Sequence, residues 1–330
     1  MLSSRFARSS VDLSLDSTAV HSDSSPAIEV VDVPGKGKGI VALRDLAEGD
    51  LLFVEKPLAT LEWDMDYVES ELNADLTRQI EALGEEDRQA YYSLHIADPV
   101  KFDYRPAAIF RTNAIGLGGS RHLGGAFKLA SRFNHSCSTS VLYEWDEKDQ
   151  VLLLKVVRNV AKGEELTAPY LSPLLPSGER QAYLKKHYGF TCCCQVCSLP
   201  PEELAKSDDR RAEISRIRDL VAKPPKPDSI PLKHHALCLS ALGLLEEEGL
   251  RLGLEVYLAY TAFMMSVIYG YRKTADIWID HLLQFEKRAH GVYTSLYRLF
   301  EIFKEDPSRN PGWRFIQRLE SKLGRLNSLR

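Results

Sequence analysis

The segment FTCCCQVC carries Cys192, Cys193, Cys194 and Cys197, so four of the chain's six cysteines fall within one short run. Thiolates suit zinc, which takes four ligands in a tetrahedron. The spacing Cys-x-Cys-x-x-Cys offers three of them in Cys192, Cys194 and Cys197. Cys137, in the stretch NHSC, is the natural fourth, because the remaining cysteine, Cys238, sits in an apolar helical pattern. The alternatives are a set of free thiols, or Cys193 replacing a neighbour as ligand. One structural zinc built this way would pin the chain after Phe190 against NHSC and so form a pocket from two distant pieces. A second feature lies far upstream. In PGKGKG, Gly37 and Gly39 let the backbone approach a ligand closely, since no side chain intervenes.

These groups need a scaffold, and composition bounds it. The 330 residues carry a formal charge of -4, with 44% hydrophobic and 27% charged residues. That suits a globular protein of two or three packed units. It argues against a general nucleic-acid binder. There is no uninterrupted apolar run long enough for a bilayer, so no membrane association is expected. The crowding of the cysteines is unlike a disulfide framework and points to a reducing compartment. Nucleus or cytoplasm is the expected location. Mitochondrial targeting by the Arg- and Ser-rich start MLSSRFARSS is the minor alternative.

The expected fold is α+β. Residues 1–27 read as a disordered or targeting tail. Strand character begins near Ile28, and AEGD turns between two strands. Leu72, Leu76, Ile80 and Leu83 share one helical face within an insertion over about 62–103, and Glu85, Glu86 and Asp87 open a further short helix. Glycine-rich loop and turn structure is expected over 108–135. Strands return at 141–145 and 151–158, joined by DEKD, and NVAKGEEL repeats the turn-then-strand pattern. Beyond Pro200 the chain turns helical to its end, with KPPKP at 223–227 closing the first helix. Further helices are expected near 232–247, 250–267, 273–287, 291–303 and 312–323. Antiparallel pairs of the tetratricopeptide kind are their natural packing.

Four stretches, in this order, resemble the motifs of SET-domain methyltransferases: GKGKGIVALRDLAEGDLLFVE, the first strand pair; RFNHSC, the asparagine-histidine signature; GEELTAPY, ending in a tyrosine; and GFTCCCQVC, the cysteine-rich post-SET segment. The helical tail further resembles the subgroup whose SET domain is interrupted by a MYND zinc finger. Here the stretch between Pro57 and Tyr104 holds no cysteine, so the finger is absent, as in finger-lacking fungal SET proteins. The resemblance implies a SET domain over 28–190 with a knot-like Asn-His segment, a zinc-binding post-SET segment at 191–200, and a helical domain at 201–330. It implies S-adenosylmethionine as cofactor, held by Gly37, Lys38, Gly39, Asn113, Asn134, His135, Tyr170 and Phe190. Lys36 or Lys38 would neutralise the cofactor's carboxylate. Tyr170 is the implied catalytic residue.

The implied reaction is SN2 transfer of a methyl group to a lysine amine that has lost its proton. The acceptor would be a protein or peptide, a histone among the candidates. A phenol of pKa about 10 is a poor base at neutral pH, so Tyr170 would orient groups and not abstract a proton. Two departures from the family pattern keep a small-molecule acceptor in view: Thr139-Ser140 stands where Pro-Asn is usual, and Pro169 precedes Tyr170 and could displace it. Tyr104, Tyr143 and Tyr188 are candidates for the acceptor channel. A third reading is a non-catalytic scaffold whose helical half recruits a partner. It is disfavoured because Asn134, His135, Tyr170 and Phe190 are all present.

Overall fold

The computed structural model describes residues 26–62, 69–97, 104–118, 123–223, 231–250, 253–290, 295–315 and 317–318. In the β-rich half, strands β1 (Ile28–Val33) and β2 (Gly37–Ala42) form a hairpin, followed by β3 (Leu51–Glu55) and β4 (Ala59–Glu62). Helices α1 (Glu69–Glu81), α2 (Glu85–Tyr92) and α3 (Arg105–Asn113) follow. The short strands β5 (Ile115–Gly116), β6 (Leu123–Ala126) and β7 (Asn134–His135) come next, then β8 (Val141–Asp146), β9 (Val151–Val156) and β10 (Glu165–Ala168). Helix α4 (Ser177–Tyr188) ends this half. Among the described residues of the other half are the helices α5 (Pro201–Val221), α6 (Pro231–Glu247), α7 (Leu254–Tyr269), α8 (Arg272–His290) and α9 (Ser295–Glu305).

Three small sheets divide the strands, in the orders β1-β2-β10-β7, β3-β9-β8 and β4-β6-β5. The β8–β9 hairpin turns on DEKD as expected, and β9 alternates half-buried and buried positions, with Leu152, Leu154 and Val156 inward. That is the period of two that a half-covered strand requires. The Asn-His segment is a two-residue strand parallel to β10, pairing Thr167 with Asn134 and Ala168 with His135. Parallel pairing needs a long crossover, here the whole β8–β9 hairpin, and it sets His135 beside the chain that leads to Tyr170.

The helical insertion covers β4 and β6. Leu72, Leu76 and Ile80 of α1 are buried with Tyr91, Ile109 and Phe110 against Leu61 and Ala126. Each such side chain contributes roughly 1.5 to 3 kcal/mol on burial. Part of this insertion, 63–68 and 98–103, lies outside the described residues. Helix α3 corrects the loop expected from residue 108. Pro106 fits a first helical turn, and the glycines that suggested a loop begin only at Gly116, past the helix end. Helix α4 was not expected. Its inward positions are Arg180 and Leu184, and a buried arginine hides the apolar stripe by which a helix is recognised. Gly189, at φ +78°, ends it in the left-handed conformation.

In the second half, consecutive helices pack on one another. Ile214, Ile217, Cys238, Phe263, Trp278, Leu282 and Phe300 share one apolar core. Leu174, from the loop before α4, joins that core. Elsewhere, the space beside Gly49 is taken by the backbone of α8: an added Cβ would come within 2.2 Å of the Arg288 carbonyl oxygen. The two halves are therefore packed together at more than one place. Half of the expected helix over 312–323 and nearly all of the tail over 1–27 lie outside the described residues, as does nearly all of KPPKP. Among the described residues no helix is long and apolar enough to cross a membrane.

Candidate active site and metal centre

A cavity of about 1280 Å³ opens between the β1–β2 turn, the end of α3, the Asn134–His135 strand, the end of β10 and the cysteine run. Gly37, Lys38, Asn113, Asn134, His135, Tyr170 and Phe190 all line it, as do Lys36, Tyr143 and Tyr188. Gly39 does not. A Cβ there would meet the Val33 side chain at 2.6 Å and Asn134 Nδ2 at 2.7 Å, so this glycine makes room for protein and not for a ligand. Gly37, at φ +74°, is the ligand-side glycine, with open space around it. Tyr104 is also outside the lining: it is exposed at the N-terminal end of α3. From the helical half, Gly249 reaches the cavity.

Each wall has an identifiable support. Asn134 donates through Nδ2 to the Lys38 carbonyl (3.2 Å) and to Glu165 Oε1 (2.9 Å). The other carboxylate oxygen of Glu165 accepts from Lys36 Nζ at 2.6 Å, while Lys38 Nζ is paired with Asp32 at 2.8 Å. Both lysines are thus held by acids at the cavity rim. Asn113 donates to the His95 and Ile109 carbonyls at 2.7 and 2.8 Å, which ties the end of α3 to the chain after α2.

The deep end is aromatic. Tyr170 packs against His135, Tyr188 and Phe190, with ring centroids 5.4, 4.8 and 6.5 Å apart. Its hydroxyl donates to the Phe133 carbonyl at 2.9 Å. Burial, with smaller contributions from Tyr188 and Glu165, pushes its phenol well above the ordinary value, so it stays protonated and is a donor. Burial likewise raises Tyr188, to about 12. The Tyr170 backbone N–H donates to His135 Nδ1 at 3.1 Å, which makes Nδ1 an acceptor and leaves the proton on Nε2. Nε2 lies 3.4 Å from the Cys137 sulfur. Burial lowers His135 to about 4, in keeping with a neutral ring.

The two departures from the family pattern are absorbed locally. Pro169 lines the cavity without carrying Tyr170 away from His135. Thr139 Oγ1 donates within reach of the Val141 and Thr167 carbonyls at 2.7 and 2.6 Å, and Ser140 Oγ accepts from the Thr167 N–H at 2.8 Å. These hydroxyls fasten the turn after Cys137 to β10. Glu55 gives a further support that nothing in the sequence singled out. Its carboxylate accepts from the Leu129 and Ala130 N–H groups, both at 2.9 Å. That holds the turn whose carbonyls at Ala130 and Phe133 accept from Tyr143 and Tyr170.

The sulfurs of Cys137, Cys192, Cys194 and Cys197 all lie within 4.8 Å of one another, and Cys137 and Cys197 are 3.6 Å apart. A tetrahedron with zinc–sulfur bonds of about 2.3 Å has edges of about 3.8 Å, so the donor set fits one zinc ion. Cys193 is exposed and outside the group. Shared hydrogen bonds from Cys137, Cys192 and Cys197 hold the Cys194 thiol far below its ordinary value, and contacts with Cys192, Cys194 and Cys197 drive Cys137 up. Four thiols this close compete for protons, and a cation resolves that competition. Gln181 of α4 brackets the cluster, accepting from the Cys192 N–H at 2.8 Å and donating to its carbonyl at 2.7 Å.

Residues 37–171 match the family model described as SET domain. The chain carries a SET domain. Its similarity extends beyond that segment: it is 29% identical to the histone-lysine N-methyltransferase set5 of Schizosaccharomyces pombe over 284 residues, 84% of each chain. A shorter match, 33% identity over 110 residues, relates it to the N-lysine methyltransferase SMYD2 of Homo sapiens, covering 33% of this chain and 23% of that protein. The SMYD2 of Gallus gallus is 28% identical over 145 residues, 39% of this chain and 33% of its own length. By this assignment the SET chain is an S-adenosylmethionine-dependent methyltransferase, and the non-catalytic scaffold reading is set aside.

Proposed function

We propose that the protein transfers a methyl group from S-adenosylmethionine to a lysine side chain of a protein. The observation that carries this reading is the convergence of Asn134, His135, Tyr170, Tyr188 and Phe190 on one cavity whose opposite rim is charged. Such a cavity suits a ligand with a zwitterionic end and an aromatic base. Gly37, Lys38, Asn113, Asn134, His135 and Phe190 would hold the cofactor, and Lys36 would meet its carboxylate. When bound, it supplies an electrophilic methyl group on a sulfonium, open to in-line displacement by a neutral amine.

A lysine side chain begins as an ammonium of pKa about 10.4 and must enter without its proton. Tyr170 is the catalytic residue in this reading. Its protonated phenol and the nearby carbonyl of Phe133 orient the amine, while Tyr143 and Tyr188 line the passage and exclude water. No residue here is asked to act as a strong base. The relatives set5 and SMYD2 are named for lysine methylation, which favours a lysine over a small molecule here. The local accommodation of Pro169 and of Thr139-Ser140 removes the reason to prefer the latter. We further propose zinc at Cys137, Cys192, Cys194 and Cys197 as a structural ion, and α5–α9 as tetratricopeptide-like helix pairs forming one wall of an acceptor cleft.

The test is transfer of labelled methyl from S-adenosylmethionine into a whole-cell extract, with acceptors identified by mass spectrometry. Label on lysine ε-amines of protein is expected. Label confined to small molecules would overturn the lysine reading. Tyr170→Phe should reduce turnover by about 10²-fold or more, the scale of a lost positioning group, with cofactor binding much less affected. Unchanged turnover would remove Tyr170 from the reaction.

A further inference from the structure

Arg180 has a side chain with 0% exposure, in the first turn of α4. A guanidinium keeps its charge at any pH at which a protein folds, so a buried one must be matched by acceptors. Nη1 donates to the Leu175 carbonyl, and Asp208 of α5 lies 3.5 Å away. Nε and Nη2 are shielded from solvent and have no oxygen or nitrogen acceptor. The thiols of Cys137 and Cys197 act on this guanidinium electrostatically. Its neighbours on α4 face the same way: Gln181 brackets Cys192, and Leu184 packs on Cys137 and Cys192. One helix face is therefore given over to the cysteine cluster, and its charged member keeps two donors, Nε and Nη2, without a partner.

A second buried arginine comes from the helical half. Arg211 of α5, also with 0% side-chain exposure, donates through Nη1 to the Cys137 carbonyl (3.2 Å) and the Pro173 carbonyl (2.6 Å). Its Nε donates to Glu248 Oε2 at 2.7 Å. One turn earlier, Asp208 accepts from the Ser177 N–H at 2.8 Å and from its hydroxyl at 2.5 Å, where α4 begins. Helix α5 thus grips both the backbone of one cysteine and the helix that carries Arg180.

We propose that Arg180 is the counter-cation of a metal tetrathiolate at Cys137, Cys192, Cys194 and Cys197, and that Arg211 couples retention of that metal to docking of the helical half. A divalent ion with four thiolates carries a net charge of -2. N–H donors aimed at thiolate sulfur spread that charge, while the Arg211 contact fixes the backbone from which Cys137 projects. The metal site and the seat of α5 then form one cooperative unit. The inference rests on the reading of the cluster as a zinc site and adds to it the two residues that decide how tightly the ion is kept.

The experiment is zinc competition against a chromogenic chelator on the full chain, with cobalt-substituted protein monitored by its sulfur-to-metal absorption. Wild type, Arg180→Met, Arg180→Lys and Arg211→Met are compared, with Arg216→Met, an exposed position on α5, as control. Arg180→Met should bind zinc about 10- to 100-fold more weakly and shift the cobalt band, the scale of a lost outer-shell partner. Arg180→Lys keeps the charge but lacks the fork, so it should fall between. Arg211→Met should weaken zinc by about 10-fold and expose the chain near Pro200 to protease together with zinc loss. Affinity and spectra equal to wild type in the folded Arg180 variants would overturn the counter-cation. If Arg180→Met does not fold in excess zinc, Arg180→Lys decides by the same criterion. Protease exposure in Arg211→Met with zinc affinity unchanged would overturn the coupling. A wild-type chain that binds no zinc removes the metal reading itself, and so is distinct from both failures.

Discussion

The two ends of the cavity are built by opposite means. At the glycine end, the β1–β2 turn is held by ion pairs at the surface, Lys36 to Glu165 and Lys38 to Asp32, with Lys38 and Asp32 both largely exposed. At the cysteine end, Cys137, His135 and Arg180 are buried, and Arg211, Tyr170 and Asp208 respectively tie them to chain further along. Exposed ion pairs contribute little and yield to salt, whereas buried polar groups must be fully partnered or they cost heavily. One end is therefore adaptable and the other prebuilt. A ligand can reshape the first; the second must exist before the ligand arrives.

Variants can break that contrast in graded steps. The largest effect is expected from Cys137→Ser, which removes one of the four proposed zinc ligands at the buried end. Stoichiometric zinc should be lost on elemental analysis, and S-adenosylmethionine binding by calorimetry should fall with it, because the site orders part of the pocket. Cofactor affinity unchanged in zinc-free protein would show that the deep end is not metal-built. Next comes Arg211→Met, which takes from Glu248, buried at 3% side-chain exposure, one of its two arginine partners and leaves Arg210 at 2.6 Å. Urea unfolding should report a loss of about 1.5 to 3 kcal/mol, the scale of lost hydrogen bonds to a charged group.

The same pair carries a pH signature. Burial alone would raise the Glu248 carboxyl, but hydrogen bonds from Ser207 and Arg211 outweigh it and hold it below its ordinary value. Its folded value lies below its unfolded one, so its contribution is complete above the ordinary carboxylate pKa of about 4.3. That contribution is lost as pH falls through the lower folded value. Glu248→Gln should lose about 1.5 to 3 kcal/mol at pH 7, and the difference from wild type should narrow in acid melts. A gap constant from pH 7 to pH 3 would contradict this.

At the adaptable end the expected effects are smaller. Gly39→Ala drives a methyl group into Val33 and Asn134 and should cost about 1 to 3 kcal/mol in thermal unfolding, with weaker cofactor binding through a displaced Asn134. Gly37→Ala meets no neighbour, and only its positive φ is strained, at about 1 kcal/mol. Equal destabilisation by the two substitutions would mean that packing at Gly39 is not what distinguishes them.

The contrast also marks what could be read from sequence. The cysteine spacing, and the motifs around Asn134, His135, Tyr170 and Phe190, name groups that do meet at one cavity, because each is a local pattern with a chemical purpose. Gly37 and Gly39 looked alike in PGKGKG and are not, since what a missing Cβ spares depends on the neighbouring strand and on Asn134. Arg180, Arg211, Glu55 and Glu165 left no trace. An arginine or glutamate in a helix or strand reads as surface until the fold supplies a partner far along the chain. Helix α4 was missed for the same reason, and α3 because glycines beyond its end masked its extent.

The grip of Arg211 on the Cys137 carbonyl bears on how the chain is made. Synthesis runs from the N-terminus, and domains commonly fold as they emerge. Here the Asn-His strand, the tyrosine, the cysteine run and the arginine appear in that order, and Glu248 comes last of all. A nascent chain that has exposed residues up to Tyr170 has Cys137 and strands to pair but neither the other three cysteines of the cluster nor the helix that seats them. It must wait through the synthesis of roughly 80 further residues, at a pace of about 5 to 20 residues per second. During those seconds the unfinished pocket leaves Cys137, Tyr143 and Tyr170 without their later partners. That interval is when zinc supply and chaperones can decide the yield of active protein.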